Sequence, residues 1–523
     1  MSKHTRIVFA LCVAVVLVAG IYGRVVHFGE RPFWSDEAWV ADAILSRGYG
    51  ELLRQTELPL PPLFAVLGKV SSGLGFRPEI GLRLVPLIAG LLVPPLSYLI
   101  LRTLRVPRSI QLAGVALSAG NTMLIVWSRE LKQYGVEAFL FLALAWMVLR
   151  LRRSPRTSVP LVTAMLIVCG VGPWLGYGFV FGAVALMVVL LRLPPHRGGS
   201  RKLRPIGLLA LATLALSTFV LLRTVASAQA SDPGLRQFAS WWFINPLAVE
   251  SWLSTATNFI FTSYLIVVPQ YLAAVRADQL VLPALVTGAV WLCVLIGLWS
   301  WPRRSRAEMS IIVLGPWVLL FLAAMAGRYP FGNPRLMVMW VGPLVLAMAA
   351  GLVHLCRGLS IVVMQRGGPG LVLALALSAV PLVHLMARPG RHTAWTYHDF
   401  PALLRTIDSE WRPGEPILAT LMASAAVKHY AAQRQMAVTT MPASGGTCAI
   451  PGVDYDAVIR QAASTLSNRV WLLAVDGPVP DVTRDKALAI LEELGFEISA
   501  RPDPADHPSW GTARLWVGQR RKR

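Results

Sequence analysis

Acidic residues are scarce in this chain. There are 27 Asp and Glu against 49 Lys and Arg, and charged residues of both signs make up only 15% of the 523 residues. Soluble domains keep roughly a quarter of their residues charged, which excludes a soluble fold for the chain as a whole. Cysteine is also sparse, with Cys12, Cys169, Cys293, Cys356 and Cys448. None of these form a Cys-x-x-Cys pair, and four lie in or beside apolar runs. A disulfide framework and a zinc ribbon are therefore excluded. Internal repeats, long low-complexity stretches and a basic module interleaved with aromatics are missing too. The last absence argues against nucleic acid as a partner, despite a net charge of +22.

Hydrophobic length takes the place of charge. Apolar residues make up 55% of the chain and its mean hydropathy is +0.57. They fall in runs of about 17 to 22 residues, the length that crosses a bilayer core. Spans are expected near 7–26, 82–101, 109–127, 134–151, 158–172, 174–192, 205–223, 280–301, 309–327, 335–356 and 370–387. The predicted fold class is an α-helical polytopic membrane protein with about 11 transmembrane helices. Residues 1–23 look like a signal peptide, with Lys3 and Arg6 ahead of an apolar core. The cleavage pattern is poor and further spans follow, so they are read as an uncleaved first helix.

The basic residues suggest an orientation. Arg102/Arg105/Arg108, Arg150/Arg152/Arg153/Arg156, Arg192 to Arg204, Arg303/Arg304/Arg306 and Arg357 to Arg366 lie between spans or at their ends. With the N-terminus in the cytoplasm every cluster falls on the cytoplasmic side. The odd number of spans then places the C-terminus outside. The expected organisation is a membrane domain over 1–387 and an extracytoplasmic domain over 388–523. The membrane domain carries outer loops 27–81 and 224–279, the second containing Trp241-Trp242. The tail is more polar, with turn signals at Arg412-Pro-Gly414, Ser444-Gly-Gly446 and Asp476-Gly-Pro478. Apolar runs at 416–421 and 470–475 read as strands, and 484–494 as an amphipathic helix. A small α/β domain fits.

Three polar segments fall on the outer face. They are Arg31-Pro-Phe-Trp-Ser-Asp-Glu-Ala-Trp-Val40, Trp127-Ser-Arg-Glu-Leu-Lys-Gln-Tyr134 and Arg328-Tyr-Pro-Phe-Gly-Asn-Pro-Arg335. A carboxylate at a membrane surface can take a proton from an acceptor hydroxyl. Arg129, Lys132, Arg328 and Arg335 can hold a phosphate, arginine with bidentate geometry. Trp34, Trp127 and Tyr134 can stack on a sugar or sit at headgroup level. Plainer roles stand beside these. Asp36 or Glu37 can cap a short helix starting at Ser35. Arg129, Lys132 and Arg328 can anchor helix ends, and Glu130 can be a solvated surface charge. Pro59-Leu-Pro-Pro62 can break a helix. Glu137, inside the fourth span, can pair with another polar group of the bundle.

In this order the motifs resemble membrane glycosyltransferases of the GT-C class, in the branch of protein O-mannosyltransferases and lipid A aminoarabinose transferases. In that branch an Asp-Glu pair follows the first helix, matched by Asp36-Glu37. A Pro-Pro-Leu-aromatic element comes next, matched by Pro61-Pro62-Leu63-Phe64. An acidic motif, often Arg-x-x-x-x-Tyr, lies between spans three and four, matched by Arg129-Glu-Leu-Lys-Gln-Tyr134. The outer turn Tyr329-Pro-Phe-Gly-Asn-Pro-Arg335 is similar to bacterial members. The likeness covers residues 1–360 well and the tail only in layout.

The resemblance implies an inverting, single-displacement transfer. The donor is a polyprenyl-phosphate sugar, and the acceptor is a glycan, lipid or protein outside the cytoplasmic membrane. Asp36 is implied as the base, with Glu37 beside it and Glu130 as a second acidic residue. Arg129, Lys132, Tyr134, Arg328 and Arg335 are implied around the donor phosphate and sugar. Some members use a divalent metal, Mg or Mn, for which Asp36 and Glu130 are the candidate ligands; others use none. The tail lacks the β-trefoil pattern of eukaryotic protein mannosyltransferases, which weakens protein as the acceptor. It also lacks the tryptophan-rich Asp-Tyr motif of oligosaccharyltransferases. A transporter or flippase for a lipid-linked glycan, and a non-catalytic envelope-assembly subunit, are the competing readings. Polar groups gathered at one face, rather than in mid-span, favour surface chemistry.

Overall fold

The computed structural model describes residues 3–54, 60–154, 158–193, 203–226, 243–267 apart from 246, 281–359 and 372–379. In the tail it describes 400–412, 415–420, 423–432, 438–440, 454–464, 469–476, 482–500 and 512–520. The first helix is α1 (Lys3–Val25). The segment after it folds into α2 (Ser35–Ser46), α3 (Tyr49–Arg54), α4 (Pro62–Ser72) and α5 (Pro78–Gly81). Next come α6 (Leu84–Thr103), α7 (Arg108–Gly120), α8 (Thr122–Val126), α9 (Tyr134–Arg153), α10 (Val159–Leu175), α11 (Phe179–Arg192) and α12 (Leu203–Leu221). The bundle continues with α13 (Val249–Val267), α14 (Val281–Ser300), α15 (Arg303–Met325) and α16 (Val338–Leu359). A short helix over 372–379 follows.

Among the described residues seven helices are long and apolar enough to cross a membrane, and the chain is a multi-pass membrane protein. They match seven of the eleven expected spans. Two more, α10 and α11, are apolar but shorter. The expected 109–127 span is broken, because α7 stops at Gly120 and Asn121 caps α8. The Asn121 Oδ1 accepts a hydrogen bond from the Leu124 amide at 3.1 Å. Of the expected 370–387 span, the helix 372–379 is described and the rest lies outside the described residues, as does Trp241-Trp242. The stretch 224–279, expected as a loop, holds a 19-residue helix, α13. Ser251, Ser254, Thr255 and Asn258 dilute its apolar pattern.

The bundle is built around α9 and α16. In their apolar windows 78% and 89% of residues are buried, so these two helices meet other helices rather than lipid. By contrast α1, α12 and α14 turn Leu11, Val15, Leu216, Phe219, Leu285 and Trp299 outward, as a lipid-facing surface requires. Close helix contact needs small residues. A Cβ at Gly351 would strike the Cys293 carbonyl of α14, and one at Gly297 would strike the Ala347 carbonyl of α16. Gly351→Val is therefore expected to lower stability by about 1–3 kcal/mol through overpacking. Thermal unfolding of the purified protein checks this.

The two ends of the bundle differ. At the C-terminal end of α9, Arg152 and Arg153 both reach Glu308 of α15, each at 2.6 Å. α9 has 20 residues, so its N-terminal end lies roughly 30 Å away. That far end carries the three polar segments.

The tail forms a five-stranded sheet in the order β2-β1-β3-β5-β4. Its strands are β1 (Ile417–Ala419), β2 (Val438–Thr440), β3 (Arg469–Asp476), β4 (Phe496–Ala500) and β5 (Thr512–Arg520). β1 runs parallel to β2 and β3, while β5 is antiparallel to β3 and β4. The helices are α17 (Phe400–Glu410), α18 (Ser424–Ala432), α19 (Tyr455–Ser464) and α20 (Val482–Glu493). The strands expected at 416–421 and 470–475, and the helix at 484–494, are present as β1, β3 and α20. Ile459, Leu472, Ile490, Leu491 and Phe496 fill one side of the sheet. On the other side, α18 lies against α2.

Candidate functional site

The site is assembled from three elements at one end of the bundle. α2 begins at Ser35, so Asp36 and Glu37 stand in its first turn, where negative charge meets the positive end of the helix dipole. Neither carboxylate caps the helix; Trp34 is the N-cap and makes no side-chain cap. The turn between α8 and α9 supplies residues 127–133. The turn before α16 supplies 328–335, and Gly332 shapes it with a left-handed φ of 82°. The Gly332 carbonyl accepts a hydrogen bond from Thr262 Oγ1 of α13 at 2.6 Å, which ties the turn to the bundle.

Asp36 joins all three elements. Its Oδ2 lies 2.9 Å from Lys132 Nζ and 3.0 Å from Arg335 Nη1. Its Oδ1 makes no hydrogen bond among the described residues, and the side chain stays 15% exposed. Burial pushes this carboxyl up, but Lys132 and then Arg335 outweigh it and hold Asp36 below the usual carboxylate range.

Glu37 faces the other way and is fully buried. Its Oε1 accepts from Arg83 Nε at 2.9 Å and from the Leu131 amide at 2.6 Å. Its Oε2 accepts from Arg31 Nη2 at 2.9 Å and from Arg83 Nη2 at 2.5 Å. Burial raises this carboxyl too, and Arg83 and Arg31 bring it down. Both oxygens already carry two donors, so the expected catalytic role beside Asp36 does not suit Glu37. It ties α2 to the 127–133 turn instead.

Glu130 is buried and lies 3.2 Å from Arg31 Nη1. Burial is the largest influence on it. Although Arg31 opposes, burial and the charge of Glu37 push the carboxyl up to about 7. The ordinary value is 4.5. Between that value and 7 the folded protein holds a proton that the unfolded chain has lost, so this group makes stability fall as pH rises through the window. Glu130→Gln is expected to flatten that part of the melting-temperature profile against pH. An unchanged slope would contradict the assignment.

The remaining expected residues divide. Tyr134 is buried, with its ring edge-on to Trp127 at 5.0 Å between centroids, and it joins the cluster. Arg129 does not. Its Nη2 donates to the Val26 carbonyl at 2.8 Å and its Nη1 to the Gly23 carbonyl at 3.5 Å. It closes the last turn of α1, where cations satisfy orphan carbonyls. Arg328 is exposed at the end of α15 and makes no ion pair among the described residues.

Arg31 and Arg83 belong to this cluster but were not among the site residues expected from sequence. Arg83 was legible as an arginine inside the expected 82–101 span, where a charge needs a partner. Asp36 and Glu130 do not suit a divalent metal. Each is already paired with cations, and Lys132 and Arg335 would repel a dication beside Asp36. Among the described residues no three His, Cys, Asp or Glu converge as a metal site.

No family model matches the chain, and no curated protein matches it in sequence. Solved structures match its fold. ArnT from Cupriavidus metallidurans in the apo state aligns over 99% of this chain and 98% of its own, at 14% identity and a TM-score of 0.54. The archaeal oligosaccharyltransferase AglB from Archaeoglobus fulgidus, in complex with an inhibitory peptide and a dolichol-phosphate, aligns over 90% of this chain and 70% of its own, at 12% identity and a TM-score of 0.50. The chain therefore has the GT-C fold of membrane glycosyltransferases.

Proposed function

We propose that the protein is an inverting glycosyltransferase that moves a sugar from a polyprenyl-phosphate donor to an acceptor at the outer face of the cytoplasmic membrane. One observation carries the reading: Asp36 places one oxygen against Lys132 and Arg335 and leaves the other without a hydrogen bond among the described residues. A base and two phosphate-binding cations thus meet at one point. Charge supports it. Arg31, Arg83, Lys132 and Arg335 outnumber Asp36, Glu37 and Glu130 by one, and by two when Glu130 is protonated. The cluster suits an anionic donor. The dolichol-phosphate of AglB supports the same class of ligand.

The reaction needs one base and one anion site. The acceptor oxygen attacks the anomeric carbon while Asp36 Oδ1 takes its proton. The bond from that carbon to the phosphate oxygen breaks, and polyprenyl phosphate departs with the electron pair. Lys132 and Arg335 hold the developing charge. Before the donor arrives these cations keep Asp36 a weak base. As the phosphate draws them away, Asp36 becomes more basic, so donor binding prepares the base. Tyr134 lines the donor site beside Arg335, and Glu37 with Arg83 holds the frame.

Lys132→Ala is expected to raise the donor KM about tenfold, as loss of a charged contact does. Arg129→Ala is expected to leave the donor KM unchanged. Initial rates against donor concentration, in membranes holding a labelled polyprenyl-phosphate sugar, check both. Equal loss of donor affinity in the two variants would overturn the phosphate assignment.

A further inference from the structure

The tail domain meets the chain around the site chiefly through Tyr430. Tyr430, on α18, places its hydroxyl between two groups of the segment after α1. The Phe33 amide donates to Tyr430 Oη at 2.6 Å, and Tyr430 Oη donates to Glu79 Oε1 at 3.2 Å. The His429 ring meets the Phe33 ring edge-on at 5.6 Å. Phe33 is fully buried and lies three residues before Asp36. The tail thus holds the chain where it enters the helix that bears Asp36.

The contact continues inward. The Arg83 guanidinium lies 4.8 Å from the Phe33 ring centroid, a cation–π distance. Its Nη1 donates to the Arg31 carbonyl at 2.7 Å and its Nη2 to the Pro32 carbonyl at 3.2 Å. The same guanidinium holds Glu37, and Glu37 accepts from the Leu131 amide. The next residue is Lys132, which meets Asp36. Every link is a hydrogen bond, a ring contact or a single peptide step.

We propose that Tyr430 is a positioning residue through which the tail domain sets the Asp36 helix against the Lys132 turn. The hydroxyl does two things. It accepts the Phe33 amide, which lies ahead of α2 and outside its helical bonding, and it anchors to Glu79 at the start of α5. Without it Phe33 and Arg83 loosen together, and the Glu37–Leu131 bond that places Lys132 loosens with them. The effect on transfer rests on the glycosyltransferase reading; the effect on the Leu131 amide does not.

The test compares the full-length protein, purified in detergent, with Tyr430→Phe. The variant keeps the ring and loses the hydroxyl. Amide hydrogen exchange at Leu131 and Phe33 is expected to quicken about tenfold, while β3 and β5 amides keep wild-type protection. In transfer assays kcat is expected to fall about tenfold with a donor KM within about twofold of wild type. Glu79→Leu removes the acceptor from the membrane side and should reproduce both effects with the tail sequence intact. Glu79→Gln still accepts the bond and should restore them. Wild-type exchange at Leu131 in Tyr430→Phe and Glu79→Leu would overturn the proposal. So would a lowered melting temperature with Leu131 exchange and kcat unchanged. A wild-type protein that transfers no sugar would remove the reaction, and Leu131 exchange would still decide the positioning role.

Discussion

Asp36→Asn is expected to lower sugar transfer about a hundredfold or more, the scale of losing a general base. The substitution is nearly isosteric, and its amide oxygen can still accept from Lys132 or Arg335, so folding should survive. Its consequence for binding is distinctive. Asp36 neutralises two cations in the resting site. Removing its charge leaves them to the donor phosphate. The donor KM is therefore expected to stay level or fall while kcat collapses, the pattern of a group that acts in the transition state. A rise in KM with kcat preserved would make Asp36 a binding residue and remove the base. Initial rates over a range of donor concentration read both parameters.

Glu37→Ala is expected to act on stability first. Arg83 is only 1% exposed, and Glu37 takes two of its hydrogen bonds. Cutting the carboxylate away leaves a buried guanidinium without its counter-ion, which costs about 3–5 kcal/mol. That is a large share of the roughly 5–15 kcal/mol that separates folded from unfolded domains. A low yield from membranes and a marked drop in melting temperature are expected. Glu37→Gln keeps acceptor capacity at one oxygen and should fall between alanine and wild type. If Glu37→Ala unfolds at the wild-type temperature while transfer is lost, Glu37 acts on substrate and the structural role given to it fails.

The contrast between these neighbours shows what could be read from sequence. Their place just beyond the first helix was legible, because hydropathy ended that helix before them. Their division of labour was not. Adjacent residues in a helical turn point about 100° apart, and the partner of each comes from a distant segment. Arg129 and Lys132 make the same point in a turn. They lie three residues apart, yet one closes α1 and the other meets Asp36. Arg335 was legible as a cation in a turn between spans, but its pairing with Asp36 spans 299 positions.

The fold was legible where hydrophobic length speaks clearly. α1, α6, α9, α12, α14, α15 and α16 each coincide with an expected span. The break at Asn121 was hidden because its flanks are apolar on both sides, and only the cap to Leu124 reveals it. α13 was hidden for the opposite reason, since Ser251, Ser254, Thr255 and Asn258 interrupt its apolar run, while Thr262 and Ser263 find partners in the bundle. Thr262 bonds to Gly332, and Ser263 accepts from Trp291 Nε1 at 3.3 Å. In the tail, alternating and apolar runs announced β1, β3 and α20. Nothing in the sequence placed Tyr430 beside Phe33, 397 positions away.

The central claim is that a sugar leaves its lipid phosphate at this site. The most direct measurement uses the purified protein in proteoliposomes containing a polyprenyl-phosphate sugar labelled in both lipid and sugar, with candidate acceptors outside. Free polyprenyl phosphate in step with labelled product is expected, with inverted configuration at the anomeric carbon, and neither in Asp36→Asn. Intact donor moved across the bilayer with no polyprenyl phosphate released would contradict the claim and leave a transporter in its place.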